Sequence, residues 1–219
     1  MNIITQPQLV NWLDSMAKER PLIAPRHVAG VLLYRPVESS NEIAWGSSRP
    51  LMSVKDVLFP PTERLLNIEK VGQEVRLTQT FPEENAVIFG VRPCDARGMQ
   101  VLDALFLDSE PVDPYYARRR ENTALIGMAC REMGPSCFCT SMGGAPDDTR
   151  GVDIFLTELA GGFLRQIAET SLQPAPGFGR KGCLAHPFRR RVLGKYGGTL
   201  SQLSHLRLCV PHLPLLCRA

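Results

Sequence analysis

The chain reads as an α/β protein: a mixed sheet with a parallel strand–helix–strand core and a C-terminal hairpin. Three stretches carry that prediction. "NAVIFGV" (85–91) and "TALIGMA" (123–129) are continuous apolar runs, the mark of strands buried on both faces of a parallel sheet. Between them, "RPCDARGMQVLDALF" predicts a helix that begins at Cys94 or Asp95, with Met99, Leu102, Leu105 and Phe106 as its apolar positions. "VDIFLTEL" and "GGFLRQIAE" read as a hairpin turned at Ala160–Gly161–Gly162. Strand–helix–strand order makes the first two strands parallel neighbours joined by a right-handed crossover.

The remaining elements follow from local patterns. "TQPQLVNWLDSMAKER" places Leu9, Trp12, Leu13 and Met16 on one helical face, with Thr5 as N-cap and Pro7 in the first turn, where its missing N–H costs nothing. "VAGVLLYRPV" and "EIAWG" read as strands separated by a polar turn, "ESSN". "SVKDVLFPPTERLLNIEK" reads as loop and short helix interrupted by Pro60–Pro61, and "EVRLTQTF" as a partly exposed strand. "DPYYARRREN" is a second helical stretch before the second buried strand, with Arg118–Arg119–Arg120 as a solvated face. Asp95 reads as a helix cap.

At 219 residues, with 44% hydrophobic and 21% charged content, the chain can bury one good core with an appended module. No stretch approaches the ~20 apolar residues of a membrane helix. The start has no basic region followed by an apolar one, so no secretory signal is read and a cytoplasmic location is expected. In that compartment seven cysteines point to metal or redox chemistry rather than disulfides. From Arg180 onward there are eight Lys or Arg and no acid, whereas residues 1–179 hold 17 basic and 22 acidic residues.

Cys94 and Cys130 fall just past the carboxyl ends of the two parallel strands, the edge where open α/β sheets place ligands. Cys137 and Cys139 form a C-x-C in the glycine-rich loop that leaves the second strand. Four thiols suit a [4Fe–4S] cluster, structural zinc, or no ligand at all, and spacing alone leaves the three readings open. Gly134, Gly143 and Gly144 would let backbone N–H groups approach sulfur, with Ser136, Thr140 and Ser141 as further donors. The paired C-x₂₋₄-C knuckles typical of zinc are absent. A nucleophilic cysteine lacks a nearby histidine to activate it, and neither dinucleotide-binding nor P-loop fingerprints occur.

"VIFGVRPCDARGMQVLD", "DPYYARRRENTALIGMACREMGPSCFCTSMGGAP" and "DIFLTELAGGFLRQI" together resemble one family of iron–sulfur subunits, which holds the sulfhydrogenase beta subunit and its counterpart in anaerobic sulfite reductase. The likeness runs from about residue 85 to 168. It implies a non-catalytic electron-transfer subunit and favours Cys94, Cys130, Cys137 and Cys139 as cluster ligands. It also implies partners: a flavin/NAD(P)-binding reductase subunit and a nickel–iron hydrogenase or sulfite reductase catalytic subunit. The alternatives are a zinc-bound or metal-free docking scaffold and a truncated, non-functional fragment.

Family members continue into a ferredoxin domain with C-x₂-C-x₂-C-x₃-C-P motifs, which this chain lacks. Its domains are accordingly read as 1–178, the cysteine-site domain, and 179–219, an irregular basic tail left by a frameshift. One nucleotide out of frame, Leu or Val followed by a codon starting with T or C can hide a cysteine codon. That condition can be met at Leu200–Ser201, Leu203–Ser204, Leu206–Arg207, Val210–Pro211, Leu213–Pro214 and Leu215–Leu216. The first four have ferredoxin spacing, and Pro211–His212 supplies the proline. The frame would shift between about Phe178 and Leu200. On this reading Cys209 and Cys217 are accidents of the frame, Cys183 is undecided, and the basic tail gives no case for binding nucleic acid. The alternative is a genuine basic tail. Resequencing the locus is expected to find those six cysteine codons in the neighbouring frame, and their absence would refute the frameshift.

Overall fold

The computed structural model describes residues 2–46, 49–82 and 85–167. The expected boundary at 178/179, the frameshifted tail, and Cys183, Cys209 and Cys217 lie outside the described residues. So do the last two residues assigned to the C-terminal hairpin.

Among the described residues a seven-stranded sheet runs β1-β9-β8-β7-β6-β2-β3. Its centre is parallel: β2 (Leu22–Val28), β6 (Ala86–Val91), β7 (Thr123–Met128) and β8 (Ile154–Leu159). Antiparallel strands flank it, with β3 (Val31–Val37) beyond β2, and β9 (Gly162–Ile167) then β1 (Asn2–Ile4) beyond β8. The predicted mixed sheet, parallel core and C-terminal hairpin are all present.

Alternation along each central strand feeds two cores. Leu22, Ala24, Val87, Phe89, Ala124, Ile126, Ile154 and Leu156 pack under α1 (Gln6–Glu19), whose Leu9, Trp12, Leu13 and Met16 face them. Thr5 is its N-cap, as predicted; Gln8 Oε1 accepts from the Thr5 backbone N–H at 2.9 Å and its hydroxyl at 3.0 Å. On the opposite face, Ile23, Ile88, Leu125 and Phe155 meet α2 (Lys55–Leu58), α3 (Pro93–Leu107) and α4 (Pro114–Glu121). Helices thus cover both faces, so the two sequence runs are apolar throughout rather than alternating.

Several local expectations need correction. The strand read across "VAGV" is a hairpin turn: Ala29 and Gly30 both take positive φ, 50° and 80°, separating β2 from β3. "EIAWG" is not a strand; a 3₁₀ turn at Ser40–Glu42 leads into irregular chain. "LNIEKV" is a strand, β4 (Leu66–Val71), paired with β5 (Glu74–Gln79) in an exposed two-stranded ribbon. α3 starts at Pro93, where proline's fixed φ suits the first helical position, and Leu105 is exposed. Asp95 caps nothing; it accepts the Ser53 hydroxyl at 2.6 Å.

The arginine run is not a solvated face. Arg118 is exposed, but Arg119 donates to the Leu58 carbonyl and pairs with Glu63. Arg120 is buried against Asp103, with Nε at 3.0 and 3.2 Å from the two carboxylate oxygens. Tyr116 donates to the same carboxylate at 2.8 Å, and buried Asp153 accepts the Leu125 N–H at 2.8 Å. These bonds tie α3 to α4, while Asp153 anchors the start of β8 to β7.

This buried charge has measurable consequences. Asp103→Ala removes the carboxylate that Arg120 and Tyr116 bond and should cost about 3–5 kcal/mol in urea unfolding. Burial raises the Asp153 carboxyl to about 6, against a pull downward from Arg120. The native state therefore holds that proton more tightly than the unfolded chain. The resulting stability is complete below about pH 4 and lost as pH rises through about 6, an effect of about 3 kcal/mol. Asp153→Asn should flatten the stability profile across that window.

Candidate metal centre

The parallel pairing of β6 and β7 ends both strands at one edge, and the site is built there. One residue interrupts the pairing. Gly90, at φ 79°, forms a bulge between Phe89 and Val91. The extra residue shifts the alternation, so Val91 joins the same core as Ile88. A side chain on Gly90 would be strained by its φ and would press the Pro25 ring at 3.3 Å. Buried Tyr34 donates to the Gly90 carbonyl at 2.8 Å and locks the bulge.

Beyond the bulge, Arg92 turns into the first residues of α3 and brings Cys94 into that helix's first turn. Arg92 is itself buried and spans the end of the sheet, donating to the Ala129 carbonyl at 3.2 Å and the Gly46 carbonyl at 3.3 Å. Its positive charge also pulls the pKa of the Cys130 thiol downward. Cys130 follows β7, and its N–H donates to the Pro146 carbonyl at 2.9 Å. That bond closes the intervening loop on itself. Inside the loop Gly144 N–H returns to the Cys139 carbonyl at 2.8 Å, and a Cβ at Gly144 would stand 3.1 Å from that oxygen. A 3₁₀ turn, Thr140–Met142, ends at Gly143 in the left-handed conformation.

The four predicted residues come together. Cys94, Cys130, Cys137 and Cys139 line one pocket of about 270 Å³ and none is in a disulfide. Cys94 is exposed and the other three are partly buried. Among the glycines expected to donate, Gly134 N–H does reach Cys137 Sγ, at 3.4 Å. Arg49 was invisible to motif reasoning, being 88 residues away; its Nη1 donates to the same sulfur at 2.9 Å. Arg92 had a weak signal, its place inside the "RPCD" string.

Electrostatics favour the protonated form of two of the thiols, Cys94 and Cys130. Burial pushes the Cys94 thiol up, and the negative charges of Asp95 and of Cys130 add to the rise. Burial likewise raises Cys130; Arg92 opposes it, while Cys137 and Cys139 reinforce it. A bound metal would supply the positive charge that displaces these protons.

Among the described residues, no group of three or more His, Cys, Asp or Glu is arranged to hold a single metal ion. Four soft thiol donors share the pocket, and of the three glycines only Gly134 turns its N–H to a sulfur, since those of Gly143 and Gly144 go to the Thr140 and Cys139 carbonyls. Among the described residues, no helix is long and apolar enough to cross a membrane.

Over 161 residues, 74% of its length, the chain is 36% identical to sulfhydrogenase 2 subunit beta of Pyrococcus furiosus. Over that stretch it is similar to a sulfhydrogenase beta subunit. The match spans 45% of that relative's own length. No protein-family model and no solved structure matches the chain.

Proposed function

We propose that this chain is an electron-relay component of a multi-subunit oxidoreductase, with Cys94, Cys130, Cys137 and Cys139 holding a [4Fe–4S] cluster. The observation that carries the reading is the convergence of four free thiols, from α3, the end of β7 and the C-x-C loop, on one pocket. When bound, such a cluster accepts and returns single electrons. The protein's share is to position the sulfurs, supply N–H donors to them and limit water around them. Gly134 N–H and Arg49 are such donors, both to Cys137, and Arg92 places positive charge beside Cys130.

The chain's electron partners are taken to be a flavin/NAD(P) reductase subunit on one side and a hydrogenase catalytic subunit on the other. The named relative, a sulfhydrogenase subunit, supports the hydrogenase choice over sulfite reductase. Met133, Phe138 and Met142 stand at the pocket with 68%, 67% and 58% of their surface exposed, which suits a face covered by another subunit. A reducing, cytoplasmic location belongs to the same reading, since four free thiols persist there. So does the division into a 1–178 domain and a 179–219 remnant.

Anaerobic purification tests the cofactor. The expected result is brown protein with broad absorbance near ~400 nm and about four irons per chain. Replacing Cys137 and Cys139 together with serine should abolish both. Colourless protein with one zinc, or with no metal, overturns the proposal.

A further inference from the structure

Arg49 is placed by a gap. Its guanidinium occupies the space that a side chain at Gly134 would fill: a Cβ there would fall 2.0 Å from Nη2 and 2.8 Å from Cζ. From that position Nη1 reaches Cys137 Sγ at 2.9 Å, on the sulfur that also accepts the Gly134 N–H. Among the described residues no carboxylate lies in ion-pair contact with Arg49. It brings a positive charge to the wall of the cysteine pocket, which Glu132 and Asp148 also line.

We propose that Arg49 is a positioning residue for the metal site: seated over Gly134, it holds Cys137 Sγ in place and eases reduction of the loaded site. The inference rests on the cluster reading. Guanidinium-to-sulfur hydrogen bonds withdraw charge from the sulfur, and a fixed cation stabilises the state with one more electron. A lysine keeps the charge but not the planar fork that lies over Gly134. Because Arg49 is exposed, salt should screen part of its effect.

The test is a redox titration of the anaerobically loaded full chain, read by absorbance near ~400 nm. One electron passes from the titrant dithionite, which is oxidised to sulfite, into the cluster; no bond or proton changes at Arg49. For Arg49→Met the equilibrium constant for reduction should fall about tenfold, about 59 mV for one electron. Arg49→Lys should fall between Met and wild type. Gly134→Ala, which fills the seat while keeping the arginine, should shift in the same direction as Arg49→Met. The gap between wild type and Arg49→Met should narrow in 1 M salt, where the Debye length is about 3 Å.

Iron content separates the two failures. No iron in the wild type overturns the cluster reading and this inference with it. Full iron in every variant with indistinguishable potentials overturns the role of Arg49 and leaves the cluster reading standing. If Arg49→Met fails to load, the lysine and alanine variants decide: potentials equal to wild type in both overturn the role.

Discussion

Side-by-side pairing of β6 and β7 is the constraint from which the rest of this fold takes its position. Two parallel strands cannot be joined by a tight turn, so the chain between them must travel over one face of the sheet. α3 and α4 are that crossing. Because the strands run the same way, both end at one edge, and the residues after each end are neighbours in space though 36 positions apart in sequence, as Cys94 and Cys130 are. The outer strands extend this pair, and the two cores are the alternate side chains of the same strands. Gly90 adjusts the pairing by one residue and thereby sets which way the chain leaves the sheet.

Apolar packing alone would let the crossing helices slide. Asp103, Arg120, Tyr116 and Asp153 bring direction to that layer through bonds of fixed geometry. Buried charge is a poor source of net stability. Its contribution here is registration: α3 sits where Asp103 can meet both the guanidinium and the phenol of α4, and the start of β8 is held against β7 by a carboxylate. The first turn of α3, with Cys94 in it, is placed by the same contacts.

Much of this was legible where one pattern dominated. β6, β7 and α1 stood out because burial on both faces, or on one helical face, demands a run or a period that composition rarely produces by chance. β2 was partly hidden by Pro25, Arg26 and His27, and its turn by Ala29, which adopts positive φ without being the Asn or Asp that usually signals such hairpins. β4 lay in a stretch dominated by Pro60–Pro61, and β1 has only three residues. For the site, four thiols and their common edge could be read from strand ends and one C-x-C. Arg49 could not, because a contact made by fitting over a glycine leaves no periodicity in either segment. The arginine run misled for a related reason: charge reads as solvent exposure unless the buried Asp103 across the crossing is known.

The loop that carries Cys137 and Cys139 begins and ends within a single hydrogen bond, from Cys130 N–H to the Pro146 carbonyl. Its two ends enter and leave the scaffold at nearly one point, so its length and composition are uncoupled from the register of the strands beneath. In evolutionary terms the loop is an exchangeable cartridge. Substitutions within it can retune the environment of two sulfurs while the sheet that aims the other two goes unaltered. The same geometry makes it a natural graft, for a recipient that offers a parallel strand end, a second thiol on the adjoining helix and an arginine placed to meet Cys137.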